Sequence, residues 1–169
     1  INTYGGKIEV KSTPGQGSTF NIYLPAFESD KAQLKNSAKS FVPKGKESIL
    51  LVDDETAVLR LEKQMLERLG YKIYTSESGE NALAEIKLNP DKYDLLITDM
   101  TMPKMTGDVL SQEVRRINSE IPIIICTGFS EKLTPERASS IGINAVLTKP
   151  IIKKDLAQSI RNILDKNQK

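Results

Sequence analysis

The sequence predicts an α/β fold built on a parallel sheet and preceded by a β-hairpin. Three observations predict it. From Ser48 onward, apolar segments of strand length alternate with helix-like segments five times. Three of the strand candidates run directly into ionisable side chains: Ile49-Leu50-Leu51-Val52 into Asp53 and Asp54, Leu95-Leu96-Ile97-Thr98 into Asp99, and Ala145-Val146-Leu147-Thr148 into Lys149. Ahead of them, residues 7–12 and 18–24 alternate apolar with polar around Pro14-Gly15-Gln16-Gly17.

In chain order, the first element is that hairpin. Ile8 and Val10 share a face with Phe20, Ile22 and Leu24, and the Pro-Gly turn joins the strands. A two-stranded hairpin is marginal alone in water, so this apolar face is expected to pack on the rest of the chain or on a neighbouring copy. Residues 27–46 are polar, rich in lysine and serine and without a period, and read as a linker. The next five strand candidates are 48–52, 71–75, 93–98, 121–125 and 143–147. The runs that end at Asp53, Asp99 and Lys149 are apolar on both faces, as buried parallel strands are. The helix candidates are 55–69, 79–88, 107–118, 134–141 and 153–165. In the first, Val58, Leu59, Leu61, Met65, Leu66 and Leu69 make the inward face and Gly70 fits the C-terminal cap. Ser78 is the N-cap expected for the second, and Pro135 sits where the first turn of the fourth tolerates it.

Composition narrows the function. The 169 residues carry 24 basic and 22 acidic side chains, a net charge of +2. From Glu47 onward there are 17 basic and 19 acidic residues, whereas residues 27–46 hold 5 and 2. Neither part has the basic field of a nucleic-acid binder. The single cysteine, Cys126, lies in an apolar run and reads as a buried structural thiol, without a disulfide framework, which suits the cytosol. No apolar run approaches membrane-spanning length. The start at Ile1, in mid-motif, is that expected of a piece of a longer protein. With no histidine, the chain is not expected to carry its own phosphohistidine.

If the three strands lie side by side, Asp53, Asp54, Asp99 and Lys149 meet at the carboxyl edge of the sheet, where open α/β folds bind their ligands. Clustered carboxylates repel one another and call for a cation. An aspartate in such a cluster is a known type of nucleophile for phosphoryl groups.

These residues, with Thr127, Pro150 and the segment Asp99-Met100-Thr101-Met102-Pro103, resemble the receiver domain of bacterial two-component signalling over about residues 47–169. The resemblance implies a doubly wound, flavodoxin-like (βα)5 fold with strand order 2-1-3-4-5. It implies that Asp99 accepts a phosphoryl group, that Thr127 and Lys149 contact that group, and that Mg²⁺ is held directly by Asp54, Asp99 and the main-chain carbonyl of Thr101, with Asp53 acting through water. It further implies a cis bond before Pro150. Two positions depart from the family. The aromatic switch residue three before the lysine is replaced by Val146, the ordinary core choice. Phe129 stands two after Thr127, where relatives carry polar residues that tune the lifetime of the acyl phosphate; with Phe129 there, shielding is expected to slow hydrolysis.

The segment from Tyr4-Gly5-Gly6-Lys7 through Tyr23-Leu24-Pro25 resembles the last hairpin of the ATP-binding domain of sensor histidine kinases. Together the resemblances imply a hybrid histidine kinase, with residues 1–26 the end of its ATPase domain, 27–46 a linker and 47–169 the receiver. They imply a phosphohistidine partner in the same kinase or in a separate phosphotransfer protein, self-association through the hairpin, and a cytoplasmic place in a parent that a membrane can anchor. No output domain is expected after Lys169. Two other readings are a degenerate receiver that only docks partners and an aspartyl-nucleophile phosphatase. The latter typically shows Asp-x-Asp after its first strand, which this chain lacks.

Overall fold

In the computed structural model, residues 5–26, 42–128 and 133–166 are described. Phe129 and residues 27–41 of the expected linker lie outside the described residues. The chain divides into two units, 1–40 and 41–169.

The first unit is the hairpin, β1 (Lys7–Thr13) and β2 (Gly17–Tyr23), paired antiparallel. Gln16 N–H donates to the Thr13 carbonyl, and Gly15 has φ +75°. That is the backbone a type II turn demands at its third residue, with Pro14 fixing the second. The register sets Ile8 opposite Ile22 and Val10 opposite Phe20. This face is exposed rather than covered: Val10 is 55% and Phe20 64% accessible. The pairing of apolar side chains across the strands is all the burial that two strands can provide on one face.

The second unit contains β3 (Ser48–Val52), α1 (Thr56–Glu67), β4 (Lys72–Ser76), α2 (Gly79–Leu88), β5 (Leu95–Asp99), α3 (Gly107–Ile117), β6 (Ile123–Thr127), α4 (Pro135–Ile141), β7 (Ala145–Thr148) and α5 (Lys153–Leu164). The five strands are all parallel in the order β4-β3-β5-β6-β7. This is the expected 2-1-3-4-5 order counted within the unit, so the strand order reverses between β3 and β5.

Side-chain alternation along each strand divides the core into two layers. Ile49 and Leu51 of β3, Leu95 and Ile97 of β5, and Ile124 and Cys126 of β6 pack with α1 and α5. Leu50, Val52, Leu96, Ile123 and Ile125 pack with α2 and α3. Both faces of the sheet are therefore covered at its centre, which is why β3, β5 and β6 read as nearly unbroken apolar runs.

Ser78 accepts the Asn81 N–H at the start of α2, and Thr134 accepts the Arg137 N–H ahead of Pro135 in α4. Gly70, at φ +96°, turns the chain just after α1, its N–H donating to the Glu67 carbonyl. Docking onto this unit begins at Val42, which packs against the α1/α5 layer, and the Gly45 N–H donates to the Leu69 carbonyl. Arg161 of α5 then grips Glu47, just before β3, with bonds of 2.8–3.0 Å, and reaches Asp165 at 2.9 Å. Burial works against the Glu47 carboxylate, but the Arg161 guanidinium outweighs it and holds its pKa below the usual range.

Two expectations need correction. The inward stripe of α1 is Leu59, Glu62 and Leu66, whereas Leu61 is 64% exposed. Positions 59, 62 and 66 lie at helical spacing on one face, and Leu61 falls about a third of a turn off it. Val146 is not a core residue: it is 38% exposed, because β7 is an edge strand and turns this side chain outward.

Candidate functional site

β3, β5 and β7 deliver Asp53, Asp99 and Lys149 to one edge of the sheet. Asp99 is the last residue of β5, held in the ladder opposite Cys126 of β6. Asp53 comes directly after β3, its N–H donating to the Ser76 carbonyl at 3.3 Å. Lys149 comes directly after β7, its N–H donating to the Thr127 carbonyl at 2.8 Å, and the peptide bond from Lys149 to Pro150 is cis. Backbone pairing thus fixes the starting point of all three side chains.

The Lys149 ammonium bridges the two acids, 2.8 Å from Asp53 Oδ2 and 2.5 Å from Asp99 Oδ1. The second oxygen of each acid is bound by main chain. Glu55 N–H donates to Asp53 Oδ1 and Thr101 N–H donates to Asp99 Oδ2, both at 2.8 Å. Asp53 and Asp99 are 2% and 7% exposed. Thr127 is buried at the end of β6, and its hydroxyl donates to the Gly128 carbonyl at 3.3 Å. Asp54 and Thr101 are exposed beside this cluster. The structure therefore brings Asp53, Asp99 and Lys149 into contact and sets Thr127 at the same edge. It leaves the Asp54 carboxylate turned to solvent.

Burial raises the pKa of Asp99, and the nearby charge of Asp53 adds to it; Lys149 and the Thr101 N–H pull the other way and do not cancel it. Burial works against the Lys149 ammonium, but its bonds to Asp53 and Asp99 prevail and raise its pKa. Burial also pushes the Cys126 thiol up, so it stays protonated and serves as packing.

Glu62 was not legible as part of this neighbourhood. It is 6% exposed on the inward stripe of α1, and its pKa is raised to about 7, first by burial and then by Asp53 and Asp99. It lines a groove of about 460 Å³ between α1 and the Lys149-Pro150-Ile151 turn. A glutamate amid the leucines of α1 was the signal available in the sequence.

The donor chemistry of the edge is hard oxygen: two buried carboxylates, a third exposed beside them and main-chain carbonyls. Among the described residues, no three acidic, histidine or cysteine side chains converge as a ready-made metal cage. Mg²⁺ does not require one. It binds through one or two carboxylates and keeps several waters, and the Asp53–Asp99 pair supplies that much. The residues present fit the ion.

A doubly wound sheet with a carboxylate pair and a lysine at its switch point defines a class of phosphoryl-handling α/β domain. A family model described as the response regulator receiver domain matches residues 49–161, and the chain belongs to that family. Receivers of two-component systems take a phosphoryl group on an aspartate, and in general they bind Mg²⁺ at that site. Among curated proteins, the chain is 30% identical over 174 residues to the sensor kinase CckA of Brucella abortus (strain 2308), covering 98% of this chain and 18% of that protein. It is 34% identical over 154 residues to the sensor protein EvgS of Escherichia coli (strain K12), covering 89% of this chain and 13% of that protein. The chain thus spans less than a fifth of the length of these relatives. Among solved structures it resembles a response regulator receiver domain protein from Clostridium thermocellum, with TM-score 0.69 and 31% identity over 72% of this chain and 97% of that one. A CheY-like receiver domain protein from Methanospirillum hungatei gives TM-score 0.68 and 29% identity over 73% and 98%. Among the described residues, no helix is long and apolar enough to cross a membrane.

Proposed function

We propose that this chain accepts a phosphoryl group from a phosphohistidine onto Asp99. The observation that carries the proposal is the placement of Asp99: buried at the end of β5, oriented by the Thr101 N–H and in contact with Lys149. An Asp99 carboxylate oxygen forms the new bond to phosphorus as the phosphorus–nitrogen bond of the donor breaks. The imidazole leaves with the bonding pair and takes up a proton from water. Phosphoryl transfer asks the protein chiefly for positioning and charge neutralisation. Lys149 transfers its ammonium from Asp99 to a phosphoryl oxygen, and the Thr127 hydroxyl donates to another. Mg²⁺, when bound, neutralises the phosphoryl oxygens. Asp54, Asp99 and the Thr101 carbonyl would hold it directly and Asp53 through water.

The partner on this reading is the phosphohistidine domain of a hybrid kinase or a separate phosphotransfer protein. The hairpin then represents the end of the kinase's ATP-binding domain. The extension of the CckA alignment over 98% of the chain, and so into the hairpin, supports that assignment. The open apolar face of β1 and β2 would be covered by the rest of such a domain or by a second copy. The unit works in the cytoplasm, where phosphohistidine kinases have their ATP.

Acetyl phosphate with Mg²⁺ is expected to add one phosphoryl group to the chain, read by intact mass, and none to Asp99→Ala. An adduct that persists in Asp99→Ala, or that forms equally well in excess chelator, would overturn the assignment.

A further inference from the structure

Resting on that reading, the structure raises the question of where the Lys149 ammonium goes when a divalent cation enters. It is held by both Asp53 and Asp99, at 2.8 and 2.5 Å. A cation drawn to those carboxylates repels it, and each acid it releases gains a lone pair for the metal. Lys149 has a flexible four-carbon stem and a compact charge, so it can swing without moving the backbone. The groove it borders is otherwise apolar, lined by Val58, Leu61, Met65 and Ile151, and contains one further charged group, the carboxylate of Glu62.

We infer that Glu62 is a positioning residue for this site, its buried carboxylate serving as the alternative partner of the Lys149 ammonium when a cation occupies the acidic edge. Glu62 takes an apolar position of α1 between Leu59 and Leu66, yet among the described residues its carboxylate has no hydrogen bond or ion pair. A largely buried carboxylate that opens onto this groove gains from a cation brought into it. Glu62 is close enough to Lys149, Asp53 and Asp99 to feel all three charges. The titratable groups facing it are Asp53 after β3, Asp99 of β5, Cys126 of β6 and Lys149 after β7. Only Lys149 is cationic. At rest, burial and the two aspartates hold the Glu62 pKa at about 7. A bound divalent cation and an approaching ammonium both favour its ionised form. By linkage, ionised Glu62 favours the cation.

The test is Mg²⁺ titration of wild type, Glu62→Gln and Glu62→Asp, read by calorimetry and by the amide shifts of the Asp99–Lys104 loop. At pH 8, Glu62→Gln should bind about fivefold more weakly than wild type, the size of a partly screened charge interaction. At pH 6, where wild-type Glu62 is largely protonated, the two should converge. Glu62→Asp should keep a rise in affinity with pH. Wild type should release more protons on binding at pH 7 than Glu62→Gln, an effect that a purely structural role would not produce. Thermal midpoints taken alongside ensure that affinities are scored on folded protein. If Mg²⁺ binds wild type and Glu62→Gln alike at both pH values, the inference is overturned and the site reading stands. If wild type binds no Mg²⁺ while Asp99 still accepts phosphate, the cation reading falls and this inference with it.

Discussion

At pH 8, Lys149→Met is expected to cost the folded chain about 3 kcal/mol, the lower end of the range for removing one partner of a buried ion pair. Asp53 and Asp99 are 2% and 7% exposed and would face each other with no cation between them. The Lys149 side chain is itself 26% exposed, so water entering the groove softens the penalty, which is why the lower end applies. Asp99 sets the sign of the pH dependence. Its pKa is already raised, since burial outweighs the pull of Lys149, and losing the lysine raises it further. A carboxyl with a raised folded-state pKa keeps its proton where the unfolded chain has lost it. Stability therefore falls as pH rises from the ordinary carboxylate range through the raised value. The deficit of Lys149→Met should accordingly be large at pH 8 and shrink near pH 5. Glu62, raised to about 7 against the pull of Lys149, rises further when the lysine is lost and adds a slope of the same sign to the deficit. Urea unfolding at the two pH values measures it. An equal deficit at both would assign the loss to packing of the lysine stem and not to charge.

Gly107→Ala is expected to destabilise the chain by about 3 kcal/mol, as forced overpacking against main chain does. A Cβ at Gly107 would lie 2.2 Å from the Asp99 carbonyl oxygen and 3.1 Å from its carbonyl carbon. Neither is the end of a flexible side chain. To make room, the start of α3 must withdraw from β5 and loosen the bond from Gly107 N–H to the Met100 carbonyl, which measures 2.9 Å. The site suffers with the fold, because the strained main chain is that of Asp99. Urea denaturation gives the stability loss, and the amide shifts of Thr101 report whether its bond to the Asp99 carboxylate survives. A loss below about 1 kcal/mol would mean that α3 slides freely over the end of β5.

The helices and strands of the second unit were legible because their physics is local. Ser78, Thr134 with Pro135, and Gly70 act on the backbone within a turn of where they stand. The apolar runs of β3, β5 and β6 required burial on both faces, which only a covered parallel sheet provides. Strand ends were less legible. β5 and β6 run from Leu95 and Ile123, not from residues 93 and 121, and they take in Asp99 and Thr127. Apolarity marks where a side chain is buried, whereas a strand ends where its ladder bonds end. Asp94 illustrates the difference: its carboxylate accepts the Ser48 N–H across the sheet at 2.7 Å, outside the strand it precedes. Asp53, Asp99 and Lys149 could be placed at one edge because each comes directly after an apolar run. Glu62 and Gly107 could not, because their importance lies in what the fold brings against them. For Glu62 that is a lysine far along the chain; for Gly107 it is the main chain of Asp99.

The grip of Arg161 on Glu47 joins residues 114 apart in sequence, and this separation bears on how the molecule comes into being. Closing so long a loop has a high entropic cost, and contacts of this span form late. As the polypeptide leaves the ribosome, α2 and α3 can settle on their face of the sheet while the other face still lacks Leu156, Ala157 and Ile160. Lys149 emerges only four residues before α5 begins. The nascent chain therefore holds an uncompensated acidic edge on a half-covered sheet until the segment from Lys149 to α5 is synthesised, so the charge pairing of the site and the covering of its second face arrive together.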